Sequence, residues 1–178
     1  MAVDFTLCYV WLQELTPLSA DCGDVCGGAC CRDTEENKGM LLFPGEREFL
    51  AGRWPEMVFR KTATGDELLI CDGACDRRMR PLSCRIFPLF PMLGADGRVR
   101  AELDPRAFSL CPLARWSQRI RLRRDFVRSV RRVGRLLATD EACRRFLQEQ
   151  TRELEEWNQL LFDSEGRSPI QRRKVELS

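Results

Sequence analysis

The 178-residue chain contains no histidine. That absence excludes mixed Cys/His zinc fingers, histidine general bases, and Ser-His or Cys-His nucleophilic pairs. Long apolar runs are missing too. No window approaches the roughly 18 uninterrupted apolar residues of a membrane span, because charge or proline breaks every run, and a soluble chain is expected. The first fifteen residues, MAVDFTLCYVWLQEL, place Asp4 where a leader peptide has basic residues, and no small-residue cleavage site follows. Export is therefore not expected, and a cytoplasmic location is. Lysine is scarce, with 3 residues against 26 arginines.

Bulk charge points to no partner, since 29 basic and 27 acidic residues leave a net +2. The distribution is uneven. Residues 1 to 111 hold 13 Lys/Arg against 17 Asp/Glu, net −4, whereas residues 112 to 178 hold 16 against 10, net +6. Between Arg115 and Arg135 nine arginines face one aspartate, net +8. On a helix that run suits an acidic protein or RNA. The plainer reading is a solvated surface, or one paired with Glu149, Glu153, Glu155 and Glu156 of the following segment, because beyond Trp116 and Phe126 no aromatic residues for base stacking are interleaved with the arginines.

Cysteine is what the chain has in excess, with ten residues. In an oxidising compartment ten cysteines read as a disulfide framework; in a reducing one they read first as metal ligands. Metal is the leading account, with disulfides and a redox-sensing thiol pair as alternatives for the densest stretch, CGDVCGGACC. There Cys22, Cys26 and Cys30 recur every four residues. That spacing would share one helical face, but Gly23, Gly27 and Gly28 favour a loop wrapped around a bound ion. Cys31 directly follows Cys30, and adjacent side chains normally diverge, so these two thiols are expected to serve two metals, or one metal and a hydrogen bond. Cys71, Cys75 and Cys84 form a second group, and Cys111-Pro112 lies beyond it. Four plus four thiols suffice for two four-thiolate sites, or for one cluster plus spectators. Cys8 and Cys143 stand alone and read as ordinary buried residues.

The local patterns predict an α+β fold, a small metal-stapled, cysteine-rich domain with short β-hairpins and a C-terminal antiparallel helical hairpin. LFPGEREFLAG suits a short helix over 45–51. Two hairpins are expected, one around Thr64-Gly65-Asp66 and one around Gly94 to Gly97, with Pro88 and Pro91 keeping the first arm of the latter at an edge. From about Ser117, Ile120, Phe126, Val127, Val130, Val133 and Leu137 make one apolar stripe. Cys143, Phe146, Leu147, Gln150, Leu154, Trp157 and Leu161 nearly make another, with Thr139 and Asp140 at the turn. The organisation expected is a single domain: a cysteine-cluster region over 1–114, a helical hairpin packed on it over 115–163, and a loose tail over 164–178. Residues 20 to 40 have little apolar bulk, so their order is expected to depend on metal.

The pattern Cys22-x3-Cys26-x3-Cys30-Cys31, followed by Arg80-Pro81-x2-Cys84-Arg85-x-Phe87-Pro88, resembles the YkgJ-like cysteine-cluster family, a zinc- or iron-chelating domain whose relatives include flagellin lysine N-methylases. The resemblance spans roughly residues 20 to 112; the family's usual motif is C-x2-C-x2-CC, one residue tighter at each interval. It implies metal binding by Cys22, Cys26, Cys30, Cys31, Cys71, Cys75, Cys84 and Cys111. Thiolate-only ligation fits zinc and iron-sulfur clusters equally. The methylase relatives tip the reading toward a [4Fe-4S]-type iron-sulfur cluster, and they supply an alternative function, a metal-dependent methyltransferase. A third reading is an RNA- or protein-binding module in which metal is only a staple. Arg80 and Arg85 are the candidate cofactor-binding residues, as donors to sulfur that offset thiolate charge. Phe87, Pro88, Phe90 and Pro91 are expected to shield such a site from water.

Overall fold

The computed structural model describes residues 2–31, 39–70, 76–115 and 121–163. Helix α1 (Phe5–Leu12) begins at Asp4, whose carboxylate accepts from the Thr6 amide at 2.9 Å, the role aspartate fills well at an N-cap. The thiol-rich stretch follows as α2 (Cys22–Cys26) and a 3-10 turn (Ala29–Cys31). The expected short helix is present as α3 (Glu46–Ala51), entered through Gly45 at φ 84.

Both expected hairpins form. β2 (Phe59–Lys61) pairs with β3 (Glu67–Ile70), and β4 (Leu89–Leu93) pairs with β5 (Val99–Leu103), each antiparallel. Gly65 at φ 92 and Gly97 at φ 73 take the left-handed positions in the two turns, where a Cβ would be strained. The short strand β1 (Gly39–Leu41) adds to the first hairpin in the order β1-β3-β2. Between the sheets lie a 3-10 turn (Arg77–Met79) and α4 (Leu82–Ile86); after β5 come α5 (Ala107–Leu110) and α6 (Pro112–Arg115).

The terminal helices are α7 (Arg124–Leu137) and α8 (Glu141–Asp163). Asp140 caps α8 by accepting from the Cys143 amide at 3.0 Å. α7 buries Phe126, Val127, Val130, Val133 and Leu137, as its stripe predicts; Ile120 lies outside the described residues. α8 buries Cys143, Phe146, Leu147, Gln150 and Leu154, but Trp157 and Leu161 are 46 % and 36 % exposed. This helix is longer than the core beneath it.

α7 packs on β4, β5 and α1, while α8 packs on β4. All five residues of β4 are therefore buried, although a two-stranded sheet leaves one of its edges unpaired, which accommodates Pro91. Gly134 is what lets α7 sit so low. A Cβ there would fall 2.4 Å from Pro91 Cβ and 2.7 Å from Val99 Cγ1.

One apolar core runs from Phe5 to Leu154 and draws on the front of the chain as heavily as on the terminal helices, through Leu12, Leu42, Phe43, Leu50, Leu82 and Ile86. The front two thirds thus shares one apolar core with the terminal helices. A smaller cluster gathers Ala107, Cys111, Leu113 and Ala114, with Leu18, Cys22, Phe87, Leu103 and Phe108 packed against it. The architecture is mixed helix and antiparallel sheet. Among the described residues no helix is long and apolar enough to cross a membrane.

Candidate metal centre

The thiol-bearing stretch is built by caps and glycines instead of apolar packing. Asp21 is the N-cap of α2: its Oδ1 accepts from the Gly23 amide at 2.8 Å. Cys22 and Cys26 therefore lie one turn apart on a real, if brief, helix. Gly27 (φ 62) and Gly28 (φ 68) are both left-handed, which ends α2 and reverses the chain, and the Cys31 amide closes the next turn on the Gly28 carbonyl at 2.8 Å. The spacing thus resolves as helix, glycine reversal and 3-10 turn.

In that tight turn the adjacent thiols do not diverge as expected. Cys30 Sγ and Cys31 Sγ are 3.9 Å apart. Charge coupling marks the rest of the neighbourhood. Cys22 feels Asp21, Cys26 and Cys111; Cys30 feels Cys31, Cys26 and Cys111. Cys111 arrives from the far side of the second hairpin, at the end of α5, where Pro112 follows because it opens α6. Burial and then these like-charged neighbours raise the Cys22 thiol above its ordinary range, and Arg80 pulls it back. Cys30 is raised as well. Burial is the larger cause there too, followed by the neighbouring Cys31 sulfur and then Cys26 and Cys111.

The arginines hold the frame. Arg77 reaches back from the second cysteine group to the first, donating from Nη1 to Asp21 Oδ2 at 2.7 Å and from Nη2 to the Leu15 carbonyl at 2.9 Å. Arg80 acts on the thiols through its charge, favouring the ionised forms of Cys22 and Asp21. Arg85 does something other than donate to sulfur: its Nε gives a bond to the Arg80 carbonyl at 2.8 Å and its Nη2 to those of Arg77 and Arg78, at 3.2 and 2.8 Å. Its guanidinium also lies over the Tyr9 ring, 4.5 Å from the centroid. It shapes the 77–80 loop.

Cys84 sits half-buried on α4, where its charge is felt by Tyr9. Behind it lies a group that sequence reasoning missed. Glu46, fully buried, accepts from Tyr9 Oη and the Leu82 amide, both at 2.6 Å, and from the Phe43 amide at 3.0 Å. One carboxyl thereby joins α1, α3 and the start of α4. Burial raises its pKa, and the three donors with the Arg85 charge oppose that rise. No signal in the sequence separates Glu46 from an ordinary first-turn acid. Asp21 was findable, because an aspartate just before a helical spacing is an N-cap signature.

Cys71 and Cys75 lie outside the described residues. All eight described cysteines are free thiols, and Cys8 and Cys143 are buried in the main core as expected. Phe87 packs beside Cys22 and Cys111, whereas Phe90 belongs to the main core. Among the described residues no three Cys, Asp or Glu groups stand together at metal-ligand geometry. Comparison with family models, curated proteins and solved structures finds no match to this chain.

Proposed function

We propose that this protein binds a metal through clustered thiolates, with Cys22, Cys26, Cys30, Cys31 and Cys111 as the nucleus of the ligand set and Cys84, Cys71 and Cys75 as the thiols available to complete it. The observation that carries this reading is the Cys30–Cys31 sulfur separation of 3.9 Å. Two sulfurs each about 2.3 Å from one tetrahedral ion are about 3.8 Å apart by geometry. In a [4Fe-4S] cluster the four cysteines go to four different irons, so that pair is better suited to one zinc ion, or to one iron of a [2Fe-2S] centre. This favours zinc over the [4Fe-4S] expectation.

Chain connectivity supports a site shared by both cysteine groups. Arg77 is tied to Asp21 next to Cys22, and Cys75 is two residues upstream of Arg77. Two residues span at most about 7 Å. The raised thiol pKa values mean that a metal must displace protons to bind, and the positive charge of Arg80 assists that exchange. A reducing, cytoplasmic compartment belongs to the same proposal, because free thiols at this density persist only there. No observation in the structure favours the methyltransferase alternative.

Metal analysis of anaerobically purified protein tests the reading. Zinc near one equivalent, or iron with matching sulfide, is the expected result. It should fall in the double variant C30S/C31S, while C8S and C143S retain it. Protein free of zinc and iron that takes up neither on reconstitution defeats the proposal.

A further inference from the structure

We infer that the outer stripe of α7, formed by Arg124, Arg128, Arg131 and Arg135, is a docking face for the phosphodiester backbone of a nucleic acid. These positions step by four, three and four residues, so they share one side of the helix and extend over about 17 Å along its axis. The opposite side is the stripe buried on β4, β5 and α1.

Pairing separates these four from most of the arginines around them, although Arg121, Arg145 and Arg152 are likewise unpartnered among the described residues. Arg47 is paired with Glu67, Arg77 with Asp21, Arg78 with Asp76, Arg100 with Glu102, Arg106 with Asp104 and Arg123 with Asp125. Arg53 and Arg132 stack on Phe49 and Trp11, each 3.8 Å from the ring centroid. Arg115 and Arg144 close on backbone carbonyls. Among the described residues none of Arg124, Arg128, Arg131 and Arg135 has an ion-pair, hydrogen-bond or stacking partner, and the α8 glutamates expected to neutralise them do not reach them, because α8 packs against β4. The one acid at the start of α7, Asp125, is already held by Arg123 and by the Phe126 amide.

Folding gains nothing from this arrangement. Like charges three and four residues apart repel along a helix, and Arg123 and Arg124 place positive charge at the N-terminal end, where the helix dipole disfavours it. A polyanion laid along the row would offset both terms. The stripe continues past the helix, since Arg135 shares a groove with Arg98 and Arg100 of the β4–β5 hairpin. Exposed apolar side chains, which an anionic membrane surface or a protein hot spot would require, are absent from the described residues of this stripe. With no aromatic residue on it for stacking, the face is suited to phosphates and not to base reading.

The test uses the full chain with its metal retained and follows fluorescence anisotropy of a labelled single-stranded RNA and a duplex DNA, each of mixed sequence. Binding should weaken steeply with salt. For single strands the slope of log K against log salt should drop by about 1.4 in R128Q/R135Q and about 2.8 in R124Q/R128Q/R131Q/R135Q. R145Q/R152Q, which removes two exposed arginines from α8, should change neither affinity nor slope. The RNA and DNA arms distinguish the two sources of phosphate. Thermal melting and metal content report whether the variants fold, and R128Q/R135Q alone decides if the quadruple variant melts early. The inference is overturned by no binding of either oligonucleotide at low salt, by an equal loss in R145Q/R152Q, or by stripe-dependent binding of phosphatidylserine vesicles or polyglutamate that exceeds oligonucleotide binding.

Discussion

Between Phe126 and Leu154 the interior is closed by side chains such as Val130, Val133, Leu137 and Leu147 that have no exposed surface at all, whereas between Asp21 and Cys31 not one residue is buried. The first region is held by excluding water. The second has a capped helical turn, two left-handed glycines and one guanidinium clamp from Arg77. Fixing its eleven residues costs on the order of 10 to 20 kcal/mol of backbone entropy, which those few bonds do not match. The metal proposed above would contribute on the order of 10 to 16 kcal/mol, the scale that is missing. The contrast teaches that packing alone does not account for order in the second region, and on the proposed reading each source can be removed without the other.

The most drastic way to break the contrast is from the oily side. Phe126→Ala should cost about 3 to 5 kcal/mol of unfolding free energy, read by urea titration, while metal bound per folded molecule stays the same. If metal is lost in step with stability, the two regions are one cooperative unit and the comparison fails.

Alkaline pH should then push the regions in opposite directions. Burial raises the Cys8 and Cys143 thiols from an ordinary 9.0 to about 12, and Tyr9 is raised above its usual 10.0 in the same way. A folded-state pKa above the unfolded value means that the neutral form is favoured on folding. That stabilisation is complete below pH 9 and is lost as pH climbs from 9 through 12, at up to about 1.4 kcal/mol per pH unit for each thiol. The proposed metal site would respond with the other sign, because its thiols must release protons to bind. Metal affinity should rise with pH over the range where core stability begins to fall. Chemical denaturation of C8A/C143A between pH 8.5 and 10.5 checks the first half, since the slope should flatten; a competition titration with a chromogenic chelator checks the second.

The smallest effect sharpens the comparison most. Asp21→Ala removes the α2 cap and its half-exposed pair with Arg77, worth about 1 kcal/mol together at this exposure. Global stability should hardly move, yet limited proteolysis near residues 21 to 31 should accelerate and metal affinity should drop. Unchanged proteolysis and metal affinity would show that the clamp has no part in ordering the thiols.

The regularities visible in the sequence were those generated locally. α3, both hairpins and the buried stripe of α7 follow from glycine placement and from 2- and 3.6-residue periods that a short window contains. β1 was not legible, because three residues have no period and their partner β3 is nearly thirty positions away. For Trp157 and Leu161 the period continues past the edge of what α8 packs against, and only the tertiary fold sets that edge. In the candidate site the positions of the cysteines along the chain were legible, but the side-by-side placement of Cys30 and Cys31, the Arg77–Asp21 clamp and the carbonyl partners of Arg85 were not. Each of those is decided by a turn geometry or by a contact between residues distant in the chain.

Gly134 has a reach beyond the sheet it touches. With a hydrogen where other residues have carbon, α7 is seated against Pro91 and Val99 at one depth and one rotation. The row of guanidinium groups on its outer side inherits that rotation, so the direction in which the protein presents its positive charge is fixed by a missing methyl group in the interior. A methyl restored at that point would lift and turn the whole row, altering the outer surface without changing any residue on it.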